Sequence, residues 1–307
     1  MNYFNNPNYF THFENIINKE YSLKTIREEL ELTTKDKKFP SSLLGNPEDH
    51  FKLKKNIKVN NVRSYPLNLS PSDISGFNTC PKASAMCKKY CLHFSGIKFQ
   101  FDKKQIARIK RTKAFYENRF WFLRLLKYEI DKAIKKARKD NIEIGFRLNT
   151  TSDIFWESVR FDSGISVIQY ILNSGAYVYD YTKCLNRVNK KTFPKEYHLT
   201  YSYSGDNLND CIEAFESGLN IAIPFNSGEI TKLNKPEFFK LGKHKVRVIN
   251  GDLTDFRISD PKGVIVGLDY KFNKELNGSY KHQLNEAIES GFCIDVKNDS
   301  RCIGVQK

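Results

Sequence analysis

Short runs of apolar and β-branched residues recur along the chain from about residue 62, and polar or helical patterns separate them. Runs of this kind are typical of strands that are covered on both faces. The predicted strands lie at residues 62–69, 144–149, 176–181, 196–203, 219–225, 246–249 and 264–268, and predicted helices lie at 163–173 and 207–217. Strands joined by such crossovers pair in parallel, so the pattern predicts a mostly parallel sheet.

The fold class that this order favours is α/β: an incomplete or irregular (β/α) barrel with mostly parallel strands, plus an N-terminal extension. A TIM-barrel-like arrangement fits better than an open doubly wound sheet, because no Gly-rich phosphate fingerprint follows any predicted strand. The predicted domains are the extension at 1–61, a partial-barrel domain at 62–270, and a tail at 271–307 that packs on the barrel, with helical spacing at Leu284, Ala287 and Ile288.

The longest helical pattern spans residues 105–139, with a break predicted near Asn118. Its apolar residues follow a 3.6-residue stripe, so we expect one face to be buried and the other exposed.

The patterns of apolar residues nearer the N-terminus are weaker. A short helix is predicted at 21–31, and the Lys- and Asn-rich run at 52–61 is predicted to be a linker or an exposed edge.

Composition predicts a folded cytoplasmic protein. Apolar residues make up 40% of the 307 residues and aromatic residues 13%, which is typical of a chain with a substantial core. No apolar run is long enough to cross a membrane, and residues 1–20 lack the apolar segment of a secretory signal. In a reducing cytoplasm the seven cysteines are expected to be thiols or metal ligands.

The net charge of +15 is concentrated in one segment. Residues 102–139 contain fourteen Lys and Arg residues but four Asp and Glu residues. A basic helix of this kind attracts polyanions, which predicts nucleic acid or another phosphate-rich ligand as partner. The alternative is a solvated basic helix without a partner.

Three cysteines, Cys80, Cys87 and Cys91, follow the first predicted strand with the spacing C-x6-C-x3-C. Three thiolates can hold a [4Fe–4S] cluster and leave its fourth iron open to a substrate or cofactor. They can also bind zinc if a fourth ligand completes the tetrahedron, for which His93 and Cys184 are candidates. The third interpretation is that the thiols are unrelated. We favour a metal site.

Polar residues follow several predicted strands, where the chemistry of a (β/α) barrel collects. A buried Arg147 would need an anion or a carboxylate, and Asp153 and Asp180 are the candidate partners. The predicted catalytic residues are Arg147, Asn149, Asp153, Asp180 and Lys183, and the predicted cofactor-binding residues are Arg147, Asn149, Ser202, Asn250 and Asp252. The structural alternative is that these residues are helix caps and buried ion pairs.

Several ordered segments resemble the bacteriophage gene product 88 family. They are residues 69–76, 80–91, 108–112, 147–154, 179–183, 197–202, 250–252 and 260–268, which include the strings CPKASAMCKKYC and RLNTTSDI. The resemblance spans about two thirds of the chain. It implies a phage or mobile-element protein that acts inside a bacterium, and it implies little about the chemistry.

A looser likeness is to radical S-adenosylmethionine enzymes, which place three cysteines after the first strand of a partial barrel and leave one iron free. It implies S-adenosylmethionine as a possible cofactor. The chain departs from these enzymes in two ways. Their usual spacing is C-x3-C-x2-C, and their Gly-Gly-Glu after the second strand is replaced here by residues 147–153.

Two hypotheses follow from the sequence. In the first, the chain is an iron–sulfur enzyme that acts on a nucleotide or nucleic acid. In the second, it is a non-enzymatic nucleic-acid-binding or host-interaction protein whose cysteines form a structural zinc site. The absence of a Walker loop, a dinucleotide glycine fingerprint, H-E-x-x-H and G-x-S-x-G argues against the enzyme classes that those motifs mark.

Overall fold

The computed structural model describes residues 40–49, 51–95, 101–188, 193–274, 276 and 278–305. Pro40–Lys307 forms one compact unit, and it is this unit that is described below. Residues 1–39 of the predicted extension, including the helix predicted at 21–31, lie outside the described residues.

Nine strands form the sheet: β1 (Val62–Pro66), β2 (Glu143–Arg147), β3 (Tyr177–Thr182), β4 (Tyr197–Ser202), β5 (Asn220–Phe225), β6 (Phe238–Leu241), β7 (His244–Asn250), β8 (Ile265–Asp269) and β9 (Cys302–Ile303). Each of the seven predicted strands is present. The sequence prediction missed β6 and β9, which are the two shortest strands.

The strand order is β1-β2-β3-β4-β5-β8-β7-β6-β9. All pairs from β1 to β7 are parallel, whereas β6 pairs antiparallel with both β7 and β9. The described strands therefore form an open sheet with β1 and β9 at its edges. The predicted α/β class with mostly parallel strands is confirmed. The predicted incomplete or irregular (β/α) barrel is not, because the sheet of described strands does not close.

The helices are α1 (Phe51–Asn60), α2 (Ala85–Lys89), α3 (Phe101–Glu117), α4 (Arg119–Asp140), α5 (Val167–Asn173), α6 (Leu208–Glu216) and α7 (Tyr280–Glu289). The long basic pattern is two helices that break at Asn118, as the sequence predicts. The linker prediction for residues 52–61 was wrong, because this run forms α1, which packs on β1. Helix α7 contains the predicted apolar group, and Leu284 and Ala287 are buried.

The two faces of the sheet are covered differently. Helices α4, α5 and α6 contact β2, β3 and β4–β5, and they form the helix face. The opposite side, which we call the second face, carries Tyr179 of β3 and is covered by α1 and by residues 251–262. Phe256 packs there against Val62 and Tyr179. Side chains alternate along a strand, so neighbouring residues in β3 serve opposite faces.

Phe146→Ala should lower the free energy of unfolding by about 3–5 kcal/mol, because it removes a fully buried ring on β2. Urea unfolding monitored by circular dichroism measures this change. Ile106→Ala is the matched control: Ile106 is 54% exposed on α3, so we expect a change within about 0.5 kcal/mol. Equal losses in the two variants would contradict this assignment of the core.

Candidate metal centre

The three clustered cysteines lie on the segment that follows β1, residues 67–95, which we call the cysteine loop. A tight turn precedes Cys80. The Thr79 hydroxyl donates to the Ser70 carbonyl at 2.6 Å, and the Thr79 amide donates to the Ser72 carbonyl at 2.9 Å. Ser72 takes a left-handed conformation with φ of 51°. These bonds fix the direction in which Cys80 leaves the turn.

The loop after β2 holds the cysteine loop in place. The hydroxyl of Thr150 donates to the Leu67 carbonyl at 3.0 Å, and that of Thr151 donates to the Leu69 carbonyl at 2.6 Å. The Asp153 amide donates to the Thr79 carbonyl at 2.8 Å. The short polar side chains after β2 thus satisfy backbone carbonyls that a buried loop would otherwise leave unpaired.

Cys87 lies in the first turn of α2. Ser84 caps this helix, and its hydroxyl oxygen accepts from the Cys87 amide at 3.1 Å while it donates to the Ser204 carbonyl after β4 at 3.2 Å. The Tyr90 hydroxyl donates to Glu286 of α7 at 2.7 Å. The sequence prediction did not single out Ser84, although a serine three residues before Cys87 is a recognisable helix-cap signal.

Polar hydrogens point at two of the three sulfurs. The Ser72 amide donates to Cys80 Sγ at 3.4 Å. The His93 backbone amide donates to the Cys91 sulfur. Hydrogen bonds to sulfur stabilise the thiolate and tune the potential of iron–sulfur clusters. These two amides lower the pKa of the thiols, but burial outweighs them.

The three thiols lie within electrostatic reach of one another. Burial raises the pKa of Cys80, and charge on Cys87 raises it further. Burial raises the pKa of Cys91 to about 12, and charge on Cys87 and Cys80 adds to that effect. A metal ion binds the thiolate form, so binding here would displace protons from these groups.

The Lys183 ammonium group lies among the sulfurs. It interacts electrostatically with Cys87, Asp153 and Cys80. Burial alone would lower the pKa of Lys183, but the charges on Cys87 and Asp153 outweigh it, so the pKa is raised. The predicted site residue Lys183 therefore remains charged beside the cysteines and offsets negative charge that develops on them.

His93 is held by Arg108 of α3. The guanidinium Nη1 contacts His93 Nδ1. Burial, together with the charge on Arg108, lowers the pKa of His93 to about 4, so the ring is neutral. Arginine can only donate, so Nδ1 accepts and the ring proton resides on Nε2. Metal binding through Nε2 would require the other tautomer, which this contact opposes.

Cys184, the other candidate for a fourth ligand, is directed elsewhere. It is buried, and it interacts electrostatically with the Asp153 carboxylate. Burial raises the pKa of Cys184 to about 12, and the negative charge of Asp153 adds to this effect. Its side chain is therefore engaged with Asp153.

Asn149 organises the loop after β2 from within. Its side-chain oxygen accepts from the Ser152 hydroxyl, the Ile154 amide and the Trp156 indole at 3.0, 2.9 and 3.2 Å. Its side-chain nitrogen donates to the Ile154 carbonyl at 2.9 Å. These bonds occupy the amide group, so the geometry gives Asn149 a positioning role.

Asp153 and the buried Arg187 form an ion pair at 2.7 Å, and Arg187 also pairs with Glu157 at 2.8 Å. The Asp153 carboxylate further accepts from Thr182 Oγ1 and from the Lys183 amide, both at 2.9 Å. Sequence reasoning named Asp153 but not Arg187. Through these bonds, Asp153 and Arg187 link the loop after β2 to the end of β3.

Asp180 is fully buried on the helix face of β3. Its carboxylate accepts from the Asn149 amide at 2.7 Å and from the Tyr197 hydroxyl at 2.8 Å. Burial raises the pKa of Asp180 to about 7, although the Asn149 amide and other donors oppose this effect. Asp180 can therefore exchange a proton near neutral pH, but the bonds tie it to structural partners.

Arg147 lies on the second face, where it forms an ion pair with Asp255. Its guanidinium carbon lies 4.8 Å from the centre of the Tyr181 ring. The proposed pairing of Arg147 with Asp153 or Asp180 was wrong, because Asp255 is the partner.

Ser202, a predicted cofactor-binding residue, is half-buried at the end of β4. Its carbonyl accepts from the Asn207 side chain at 3.0 Å.

Asn250 and Asp252 lie at the carboxyl end of β7. Asn250 lines a cavity of about 400 Å³ together with Lys235 and Asp269. Asp252 pairs with Lys52 of α1 at 2.8 Å and with Lys235 at 3.2 Å. Asp252 also accepts from the Asp269 amide at 2.7 Å and its own amide donates to Asn250 Oδ1 at 3.0 Å. Within the described residues, no contact of these two predicted cofactor residues reaches a cysteine sulfur.

In the part of the chain that the structure describes, no set of three His, Cys, Asp or Glu side chains has the geometry of a complete metal site. The donor chemistry nevertheless suits a metal: three neighbouring thiols, hydrogen bonds to two of the sulfurs, and a lysine that offsets charge. Binding would require the sulfurs to converge.

The basic segment of α3 and α4 uses several of its cations internally. Arg124 pairs with Asp162 at 3.0 Å, and Arg111 donates to the Ser42 carbonyl at 3.0 Å. Exposed lysines remain along both helices, at positions 103, 104, 110, 113, 127, 132, 135, 136 and 139. Among the described helices, none is both long and apolar enough to span a membrane.

Comparison with known proteins gives one result. The family model described as Gene product 88 matches residues 34–296, which include the cysteine loop and eight of the nine strands. Neither the curated proteins nor the solved structures give a match.

Asp180 should make the stability depend on pH. Its folded-state pKa is raised to about 7, so the folded chain keeps a proton that the unfolded chain releases above about pH 4. The free energy of unfolding contributed by this group therefore falls as the pH rises from about 4 to about 7, and it is constant above that range. Asp180→Asn removes this dependence.

Urea unfolding of both proteins between pH 4.5 and 8 measures the effect. The stability difference, wild type minus Asp180→Asn, should decrease across this range and level off. A difference that stays constant with pH would show that Asp180 is ionised in the folded chain throughout.

Proposed function

The chain belongs to the gene product 88 family, and we propose that it binds a [4Fe–4S] cluster through Cys80, Cys87 and Cys91. The observation that carries the proposal is the grouping of these three thiols with Lys183 at the carboxyl ends of β1 and β3. A cluster held by three cysteines supplies an open iron that can bind a substrate or cofactor.

The available fourth ligands favour a cluster over zinc. A structural zinc site requires four protein ligands, whereas a three-cysteine cluster leaves one iron open. His93 is held through Nδ1 by Arg108, and the Cys184 thiol is buried within electrostatic reach of Asp153. Either group would have to break a buried interaction in order to bind zinc.

The amide donors around the sulfurs support the same assignment. The Ser72 amide and the His93 amide act on thiol sulfurs, and Lys183 adds a positive charge. A cluster with three thiolate ligands carries negative charge, and such donors are the means by which proteins stabilise it.

We propose further that the chain is an enzyme acting on a nucleotide or nucleic acid in a bacterial cytoplasm. The exposed lysines of α3 and α4 would contact phosphates, which position a substrate without reading its sequence. S-adenosylmethionine is one candidate for the open iron, by likeness to radical enzymes with three cysteines after the first strand.

The second candidate function is a non-enzymatic nucleic-acid-binding or host-interaction protein with structural zinc. It is favoured by the anchoring of the cysteine loop at Ser84, Thr150 and Thr151, since a structural ion orders a loop of this kind. It requires His93 or Cys184 to become the fourth ligand.

Anaerobically reconstituted protein should be brown and should contain about four irons per chain. Cys87→Ser should lose most of the iron and the absorption near 400 nm, because one thiolate ligand is removed. Iron and sulfide analysis with an absorption spectrum measures both. Cys302→Ser is the matched control, since Cys302 is a half-buried thiol on β9, and it should keep the cluster.

The zinc alternative predicts a different outcome. The protein would contain one zinc ion and no visible absorption, and substitution of His93 or Cys184 would release the metal as readily as substitution of Cys87. Equal metal content in Cys87→Ser and Cys302→Ser would exclude the cysteine loop as a metal site of either kind.

Single-stranded oligonucleotide binding should depend on the basic segment. A triple variant of α4, Lys132→Gln, Lys136→Gln and Lys139→Gln, should bind more weakly, and its plot of log K against log salt should be shallower by about 0.7 for each lost phosphate contact. Fluorescence anisotropy at several salt concentrations measures both. The matched control with equal charge change is Lys240→Gln, Lys243→Gln and Lys245→Gln. An equal loss in the two triples would indicate attraction by net charge alone.

A further inference from the structure

Buried polar side chains lie at the centre of the second face. Tyr179 of β3 pairs in register with His198 of β4, and Tyr181 pairs with Thr200. Arg147 of β2 lies level with Tyr179, one residue beyond the pair formed by Phe146 and Val178. This is an unusual lining for a face covered by other segments, where apolar residues are the rule.

The turn Arg257–Ser259 contacts β3 and β4 and brings Arg257 over these strands. The Arg257 side chain is 1% exposed. Its Nη2 donates a hydrogen bond to the Thr254 carbonyl. Nη1 lies 3.0 Å from Asp260 Oδ2, but the two groups are not aligned for a hydrogen bond. The N–H groups of Nε and Nη1 therefore have no hydrogen-bond acceptor among the described residues.

Other atoms of this group also have no hydrogen-bond partner among the described residues. They are Arg147 Nε, Thr200 Oγ1 and His198 Nε2, and Thr200 is fully buried. An unpaired buried polar atom costs about 1–3 kcal/mol, and native proteins leave few of them. Such a concentration calls for a ligand or ordered water that supplies the missing bonds.

The unpaired groups are chiefly donors, so the missing partner should be rich in acceptor oxygens. The guanidinium groups supply three of the unpaired N–H positions, and the Thr200 hydroxyl can supply another. Asp260 Oδ2 is the one carboxylate oxygen without a hydrogen bond among these atoms, and it forms an ion pair with Arg257. Arginine with a neighbouring hydroxyl is suited to carboxylate and phosphate.

The surrounding charge favours an anion. Arg257 and Lys262 both act on His198, and burial together with these charges lowers its pKa to about 4. The histidine is therefore neutral at physiological pH. Asp255 pairs with Arg147 and Asp260 pairs with Arg257, and Lys262 adds a third cation, so the cations outnumber the carboxylates. Each pair leaves Nε of its arginine available.

We propose that the second face binds a compact oxyanion, the carboxylate or phosphate group of a ligand, between Arg257, Arg147 and Thr200. His198 lines the site as a neutral ring. The inference goes beyond the metal centre and does not depend on it, because none of these side chains is a proposed metal ligand. If the protein binds no iron–sulfur cluster, the inference of an oxyanion site still stands.

Inorganic phosphate and acetate are the probes, added to full-length protein at constant ionic strength. One of them should raise the unfolding midpoint in a saturable manner, and the stronger probe identifies a phosphate or a carboxylate group. Thr200→Val should weaken that binding roughly tenfold, because a hydrogen bond to an anion is lost while the shape is kept. Thr231→Val, on the loop after β5, is the matched control and should bind as the wild type does.

A crystal structure from selenate solution gives an independent readout. An anomalous peak within hydrogen-bond distance of Arg257 Nε and Thr200 Oγ1 would support the site, and Arg257→Lys should remove it. The inference is overturned if these atoms bind ordered water only. It is also overturned if neither probe saturates, or if Thr200→Val and Thr231→Val respond alike.

Discussion

The loops after β1, β2 and β3 are held together through Asp153. Its amide bonds the turn before Cys80, and its carboxylate accepts from the end of β3 and from the buried Arg187. Removing one partner of such a buried pair typically costs about 3–5 kcal/mol, because the other charge is left uncompensated. The relation between the cysteines and Lys183 therefore depends on Asp153, even though its carboxylate is not directed at the sulfurs.

Strand β3 divides the polar residues of the chain between two environments. Asp180 and Thr182 serve the helix face, where they meet Tyr197 and Asp153. Tyr179 and Tyr181 serve the second face, where residues 251–262 bring in the charges that surround them. The polar residues at the strand ends look like one site in the sequence, but they belong to two separate groups. One supports the cysteine loop, and the other contains the proposed oxyanion site.

The seven strands with parallel partners could be predicted because most of them carry an apolar or β-branched run that is visible locally. Strands β6 and β9 could not, since β6 has four residues, one of them an exposed lysine, and β9 has two residues in a polar tail. Helix α1 was missed for a related reason. Its sequence, FKLKKNIKVN, is rich in Lys and Asn, and it is helical because Leu53 and Asn56 are buried in the compact unit. Tertiary packing decided that element.

The candidate site was predictable where its parts are close in sequence. The cysteine spacing and the residues after β2 are of that kind, whereas Asp255 lies 108 residues from Arg147. The register of β2 with β3 decides which carboxylate Arg147 can reach. Residues in register in a parallel sheet point to the same side, so Arg147 shares its face with Tyr179. Asp180 is the next residue of β3 and faces the opposite way. A register shifted by one residue would reverse this assignment, so alternation without the register could not exclude Asp180. The buried guanidinium instead pairs with Asp255, from a segment outside β3.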